Sequence, residues 1–115
     1  EISGYHNKGF GSDEPIALKA RMAINVGADA VEVMANDEET NNRLVHEIKT
    51  ASPNTPVILG GGTDIENVRR RLKEANGALV GSCFENKNWG GNIDEAIVRE
   101  YMKIVRSMEN EYQEI

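Results

Sequence analysis

Pro56-Val57-Ile58-Leu59-Gly60-Gly61-Gly62-Thr63-Asp64, a helix-patterned segment, and then Ala78-Leu79-Val80-Gly81-Ser82 decide how the whole chain is read. Val57 to Leu59 is a short unbroken apolar run, as expected of a parallel strand buried on both faces, and Ala78 to Val80 repeats the pattern. Each run ends in glycine just before a predicted helix. Glycine lets the main chain approach a ligand closely, and a helix N-terminus favours negative charge. Two such ends in succession predict a phosphate held from both sides.

Between the two runs, Thr63 with Glu66 matches a capping box, and Ile65, Val68, Leu72 and Ala75 recur at helical spacing as far as Asn76 and Gly77. Upstream, the two prolines of Ser52-Pro53-Asn54-Thr55-Pro56 end a helix predicted over Glu38–Ala51, whose buried stripe is Leu44, Val45, Ile48 and Ala51. His46 falls off that stripe, as a surface residue. Ala28 to Met34 reads as a strand interrupted by Glu32, a carboxylate that needs a partner or a solvated cleft. Before it, Ser12-Asp13-Glu14-Pro15 opens a helix running to Val26 and stopped by Gly27 as its C′ residue. That helix presents Ala17, Ala20, Ile24 and Gly27, widened by Leu18 and Met22. At the start of the chain, Ile2 to Tyr5 fits a short strand, with His6 and Lys8 where it would end. Downstream, Phe84 to Asn92, with Trp89-Gly90-Gly91, is long enough to fold over the strand ends as a partial lid. Asn92 or Asp94 then caps a final helix with Ile97, Tyr101, Ile104, Val105 and Met108 on one face, fraying from Glu109 to Ile115.

The 115 residues, 39% hydrophobic and 28% charged, make one domain of a globular chain. A net charge of −6 argues against nucleic-acid partners. Arg69-Arg70-Arg71 is the only dense basic patch, and successive helical residues about 100° apart cannot all face one phosphate, so a solvated helix face is the reading. No membrane insertion, targeting segment, metal or cofactor is implied, and the expected location is cytoplasmic. Cys83, the one cysteine, reads as a structural thiol.

Four βα units predict an α/β protein with a parallel sheet. Two architectures share this pattern: the C-terminal (βα)4 half of a TIM (βα)8 barrel, and a complete flavodoxin-like open parallel sheet. Glycine-rich ends on the last two strands favour the barrel, in which phosphate is often held by the loops after the final strands. A whole barrel needs about 250 residues. Residues 1–115 are therefore read as a single (βα)4 unit that self-associates as a homo-oligomer or lacks an N-terminal half.

Val57 to Val68, Ala75 to Ser82 and Gly27 to Val31 together resemble the C-terminal half of the BtpA/SgcQ-like family. The resemblance extends over roughly Gly27 to Val105 and takes in Trp89-Gly90-Gly91-Asn92. It implies a TIM barrel of the ribulose-phosphate-binding type, with one branch of the family linked to photosystem I biogenesis or stability. The chain departs from the family after the strand ending at Val33, where Met34-Ala35-Asn36-Asp37-Glu38 is bulkier and more acidic than the small turn the family tends to show.

Two functions follow. In the first, a phosphorylated small molecule is bound by the backbone N–H groups of Gly61, Gly62, Gly81 and Ser82, and any catalysis falls to strand-end residues: Glu32, Asn36 and Asp37, with His6 or Lys8. In the second, the barrel is a non-catalytic assembly or stability factor acting through protein contacts. A third, weaker resemblance links His6-Asn7-Lys8-Gly9 to the His-x-x-Gly of cobalamin-binding domains, but Gly4 stands where that motif has aspartate.

Overall fold

The computed structural model describes residues 1–3 and 15–113. In chain order these residues form α1 (Ile16–Asn25), β1 (Val31–Val33), α2 (Glu38–Ala51), β2 (Val57–Leu59), α3 (Val68–Arg71), β3 (Gly77–Ala78) and α4 (Glu95–Gln113). The strands are parallel and lie side by side in chain order, with Glu32 opposite Ile58 and Ile58 opposite Gly77. Ile2 and Ser3 continue the order on the far side of β1, through Ile2 N–H to the Glu32 carbonyl at 2.9 Å and Met34 N–H to the Ser3 carbonyl at 3.0 Å. This is the α/β arrangement of half a βα barrel. The flavodoxin-like alternative needs a reversal of strand order, and none occurs among the described strands.

Alternation along the strands sorts the side chains. Val31, Val33, Val57 and Leu59 are at most 2% exposed and face the helices, where Ile16, Ala20, Val45 and Ile48 close over them. Glu32 and Ile58 point the other way, onto a face that no described helix or strand covers, and Leu79 beyond β3 is 56% exposed. Helix α1 ends in a Schellman motif, with Gly27 N–H to the Ile24 carbonyl, Ala28 N–H to the Ala23 carbonyl and Gly27 at φ +107°.

Several sequence-based expectations are corrected. Leu18 and Met22 are about two-fifths exposed, at 40% and 39%, and Ala51 faces solvent, while buried Asn41 occupies the α2 stripe. Its Oδ1 accepts the Ala35 N–H at 3.1 Å, so a polar side chain there ties the end of β1 to the helix. The segment after β2 contains only four helical residues. Asp64 and Asn67 exchange side-chain hydrogen bonds with each other's N–H groups, and Asp64 also takes that of Glu66, which holds residues 64–67 as a turn. Thr63 forms no capping box. Its hydroxyl is buried against the Tyr101 hydroxyl at 2.9 Å, and Tyr101 meets Phe84 edge-on with ring centroids 5.2 Å apart. Helix α4 runs without a break to Gln113 rather than fraying from Glu109, capped at its start by Asp94. Trp89 is 89% exposed and stands in solvent instead of closing over the strand ends.

At the opposite end of the sheet, Asn76 clamps β2. Its Oδ1 accepts the Val57 N–H at 2.9 Å and a Lys49 Nζ proton, while its own N–H donates to the Val57 carbonyl at 2.8 Å.

Tyr101→Phe removes the one hydrogen-bond partner of the buried Thr63 hydroxyl among the described residues. The expected loss is about 1–3 kcal/mol in denaturant unfolding, read as a lower midpoint at unchanged slope.

Candidate functional site

Because β2 and β3 are hydrogen-bonded neighbours, their C-terminal ends lie together, with Leu79 N–H donating to the Leu59 carbonyl at 2.9 Å. The loops that follow stay in contact: the Ile65 N–H points at the Cys83 thiol, and Cys83 packs with Val68 and Tyr101. Burial pushes that thiol up from its ordinary value, away from reactivity. Gly61-Gly62 and Gly81-Ser82 thus lie on adjoining loops at one end of the sheet. Among the described residues their four N–H groups donate no hydrogen bond, and Gly62, Gly81 and Ser82 are exposed.

The glycines differ in what the fold asks of them. A Cβ at Gly60 would displace the Glu32 carboxylate and lie 3.2 Å from Met34 Cβ, so glycine suits the close packing there. Gly62 has φ +84°, and a Cβ there would fall on the Arg71 guanidinium. Gly61 and Gly81 have neither constraint: a Cβ at Gly61 meets only Met34, at 3.6 Å, and one at Gly81 meets nothing within 4 Å. Neither glycine is dictated by packing or by a left-handed backbone.

No helix of useful length begins at either loop. Helix α3 starts six residues after Gly62 and is four residues long, and Gly81-Ser82 leads into turns, with α4 starting only at Glu95. Any anion here depends on loop amides, not on a helix dipole.

The three arginines, taken from sequence as one solvated face, separate. Arg69 pairs with Glu111 at 3.0 Å and Arg70 makes a two-point pair with Glu38 at 2.9 and 3.1 Å. Arg71 is buried at 6% exposure. The signal was present in the sequence: Val68, Arg71, Leu72 and Ala75 are spaced as one buried stripe.

The proposed catalytic residues are not brought together. Glu32 lies half-buried on the open sheet face against Gly60, with no hydrogen-bond or ion-pair partner for its carboxylate among the described residues. Asp37 is the N-cap of α2. Its Oδ1 accepts the Thr40 N–H at 2.8 Å and its Oδ2 the Thr40 hydroxyl at 2.9 Å. The Thr40 backbone hydrogen bond, followed by that of its side chain, holds the Asp37 carboxyl below the ordinary value of 3.8, which makes it a poor proton acceptor at neutral pH. Asn36 and Asp37 line a groove of about 470 Å3 with Ser3, Met34 and Leu44, at the end of β1, and no glycine of the two loops lines it. His6 and Lys8 lie outside the described residues. His46, read as a surface residue, is exposed and bonded through Nδ1 to Glu74 at 3.0 Å. Among the described residues no three His, Cys, Asp or Glu side chains gather as metal ligands, and no helix is long and apolar enough to cross a membrane.

Comparison with known proteins gives one informative likeness. The chain is 36% identical over 69 residues to the tryptophan synthase alpha chain of Wolinella succinogenes. The match covers 60% of this chain and 27% of that protein, so it spans little more than a quarter of the relative's length. That relative is a TIM-barrel enzyme, and the likeness supports a TIM-barrel-type fold for the present chain. No protein-family model and no solved structure matches.

The Asp37 cap carries a pH signature. Its carboxyl is lowered in the folded chain, so its contribution is fully present above the unfolded value near 3.8 and is lost as pH falls through the lower folded value. Asp37→Ala is expected to reduce stability at pH 7 and to flatten the acid limb below about pH 4 in thermal melts.

Proposed function

We propose that this chain binds a phosphorylated small molecule at the adjoining C-terminal ends of β2 and β3, with the N–H groups of Gly61, Gly62, Gly81 and Ser82 as donors. The observation that carries the reading is that these four amides lie on adjoining loops yet are unengaged. Gly62, Gly81 and Ser82 are exposed, so their amides are open to solvent and an incoming oxyanion has only water to displace. Gly61 and Gly81, which packing does not explain, fit the need for close approach by a ligand. Phosphate binding after the last strands is also a recurrent use of the barrel superfamily to which the chain has its likeness.

Within that superfamily we assign the chain to the BtpA/SgcQ-like group, on the residues from Gly27 to Val31, Val57 to Val68 and Ala75 to Ser82. If a reaction is catalysed, Glu32 is the residue placed to act. Its carboxylate is unpartnered among the described residues and stands over Gly60 at the same end of the sheet. Asp37, committed to its cap, is the weaker candidate. In keeping with a single (βα)4 unit, a second copy or the remainder of a longer chain covers the face of Glu32, Met34 and Ile58; a stable 12.7 kDa monomer in sedimentation equilibrium would count against closure by a second copy.

One observation favours the alternative, an assembly or stability factor that works through protein contacts. Trp89 and Ile93, at 89% and 70% exposure, place two large apolar side chains on the surface of one loop.

Inorganic phosphate or a sugar phosphate separates the two. A ligand at a hundred times its Kd adds about 2.7 kcal/mol, a rise of about 10 °C in Tm for a domain of this size. Gly81→Asp, whose Cβ meets no neighbour, should melt like the parent without phosphate and lose the shift with it. No shift in the parent chain would leave the protein-contact reading.

A further inference from the structure

Arg71 is the member of the arginine run without a hydrogen-bond or ion-pair partner among the described residues. Arg69 is engaged by Glu111 and by Ser107 Oγ at 2.6 Å, and Arg70 by Glu38. The Arg71 guanidinium makes no hydrogen bond or ion pair among the described residues, its Nε is fully buried without an acceptor, and the whole residue is 6% exposed. The nearby carboxylates are already committed, Glu38 to Arg70 and Asp64 to the Glu66 and Asn67 N–H groups. A buried guanidinium with no hydrogen-bonded carboxylate is costly even with the Glu38 charge nearby, and in a chain with 19 acidic residues that cost is readily avoided.

The side chain also has a direction. Nη1, Cζ and Nη2 are the three atoms nearest to where a Cβ on Gly62 would sit, so the planar head lies against the Gly61-Gly62 loop and occupies the space glycine leaves. A charged fork is thereby held beside amides that themselves lack acceptors.

We infer that Arg71 is the counter-charge of this anion site and that it sets the ligand class as a dianionic phosphate monoester. The inference rests on the phosphate reading above. Neutral amides orient an oxyanion but discriminate weakly between one negative charge and two. A guanidinium adds up to two parallel donors, which suit phosphate and carboxylate alike, and a full positive charge, which favours a dianion over a monoanion.

The test is a thermal-shift titration with inorganic phosphate at pH 8 in a zwitterionic buffer, with acetate as the monoanionic comparison, on the parent chain, Arg71→Met and Arg71→Lys. Three results are expected. The parent responds to phosphate far more than to acetate. Arg71→Met binds phosphate at least tenfold more weakly and loses the preference, while Arg71→Lys, which keeps charge but not the fork, falls between. Without phosphate, Arg71→Met melts no lower than the parent, because a buried unpaired charge has been removed. Equal phosphate affinity in Arg71→Met and the parent would overturn the inference and leave the amide site standing. So would an Arg71→Met variant that melts well below the parent without phosphate and keeps the full shift. No phosphate response in the parent would overturn both. If Arg71→Met does not fold, Arg71→Lys decides: unchanged affinity and unchanged preference over acetate refute the role assigned to the fork.

Discussion

The structure depends on a one-sided sheet. Val31, Val33, Val57 and Leu59 all turn toward the helices and are almost wholly buried, whereas Glu32 and Ile58, one residue out of phase, turn away. Period-two alternation allows no compromise, since shifting a strand by one residue would put a carboxylate under the helices and a valine into the open. Keeping the apolar face covered requires each helix to return on the same side. That return places successive strands next to one another in chain order and brings the loops after them to a common end.

Where local chemistry and this constraint agree, the sequence was a good guide. Val57 to Leu59 is a strand as expected, and α2 spans Glu38–Ala51, because an uninterrupted apolar triplet between Pro56 and Gly60 and a long stripe with an aspartate cap leave few other solutions. Gly27 takes the left-handed position that its place after the last apolar turn implied. The segment from Thr63 to Asn76 was harder. Its helical spacing is real, but Asp64 and Asn67 offer the backbone side-chain partners that a helix does not, and the turn they build uses residues a helix would have claimed. No periodicity count weighs that competition.

The candidate site was legible in part. The glycine loops after β2 and β3 could be picked out, but β3 is Gly77–Ala78 rather than the expected Ala78–Val80, so Gly81 follows it at a distance of three residues, and the helix termini expected to assist start too late in the chain. Asp37 looked available because a helix cap and a catalytic acid are the same residue type in the same kind of place; only the bonds from Thr40 distinguish them. Arg71 was hidden by its neighbours. Three arginines in a row suggest solvent, and the fact that one shares a stripe with Val68 and Leu72 carries weight only once the stripe is seen to be buried.

The clamp made by Asn76 bears on how the chain reaches this arrangement. A strand with two paired residues has little means of choosing its own alignment, and Gly77–Ala78 is such a strand. Asn76 settles the matter beforehand by gripping both polar groups of Val57, so that β3 is laid down from a fixed origin. Without that grip, a competing alignment one residue away would bury Leu79 in place of Ala78 and carry Gly81 and Ser82 out of line with Gly61 and Gly62. Asn76 in this sense acts as a proofreader of folding: its loss would be felt as a mixture of misaligned chains more than as a lower melting point.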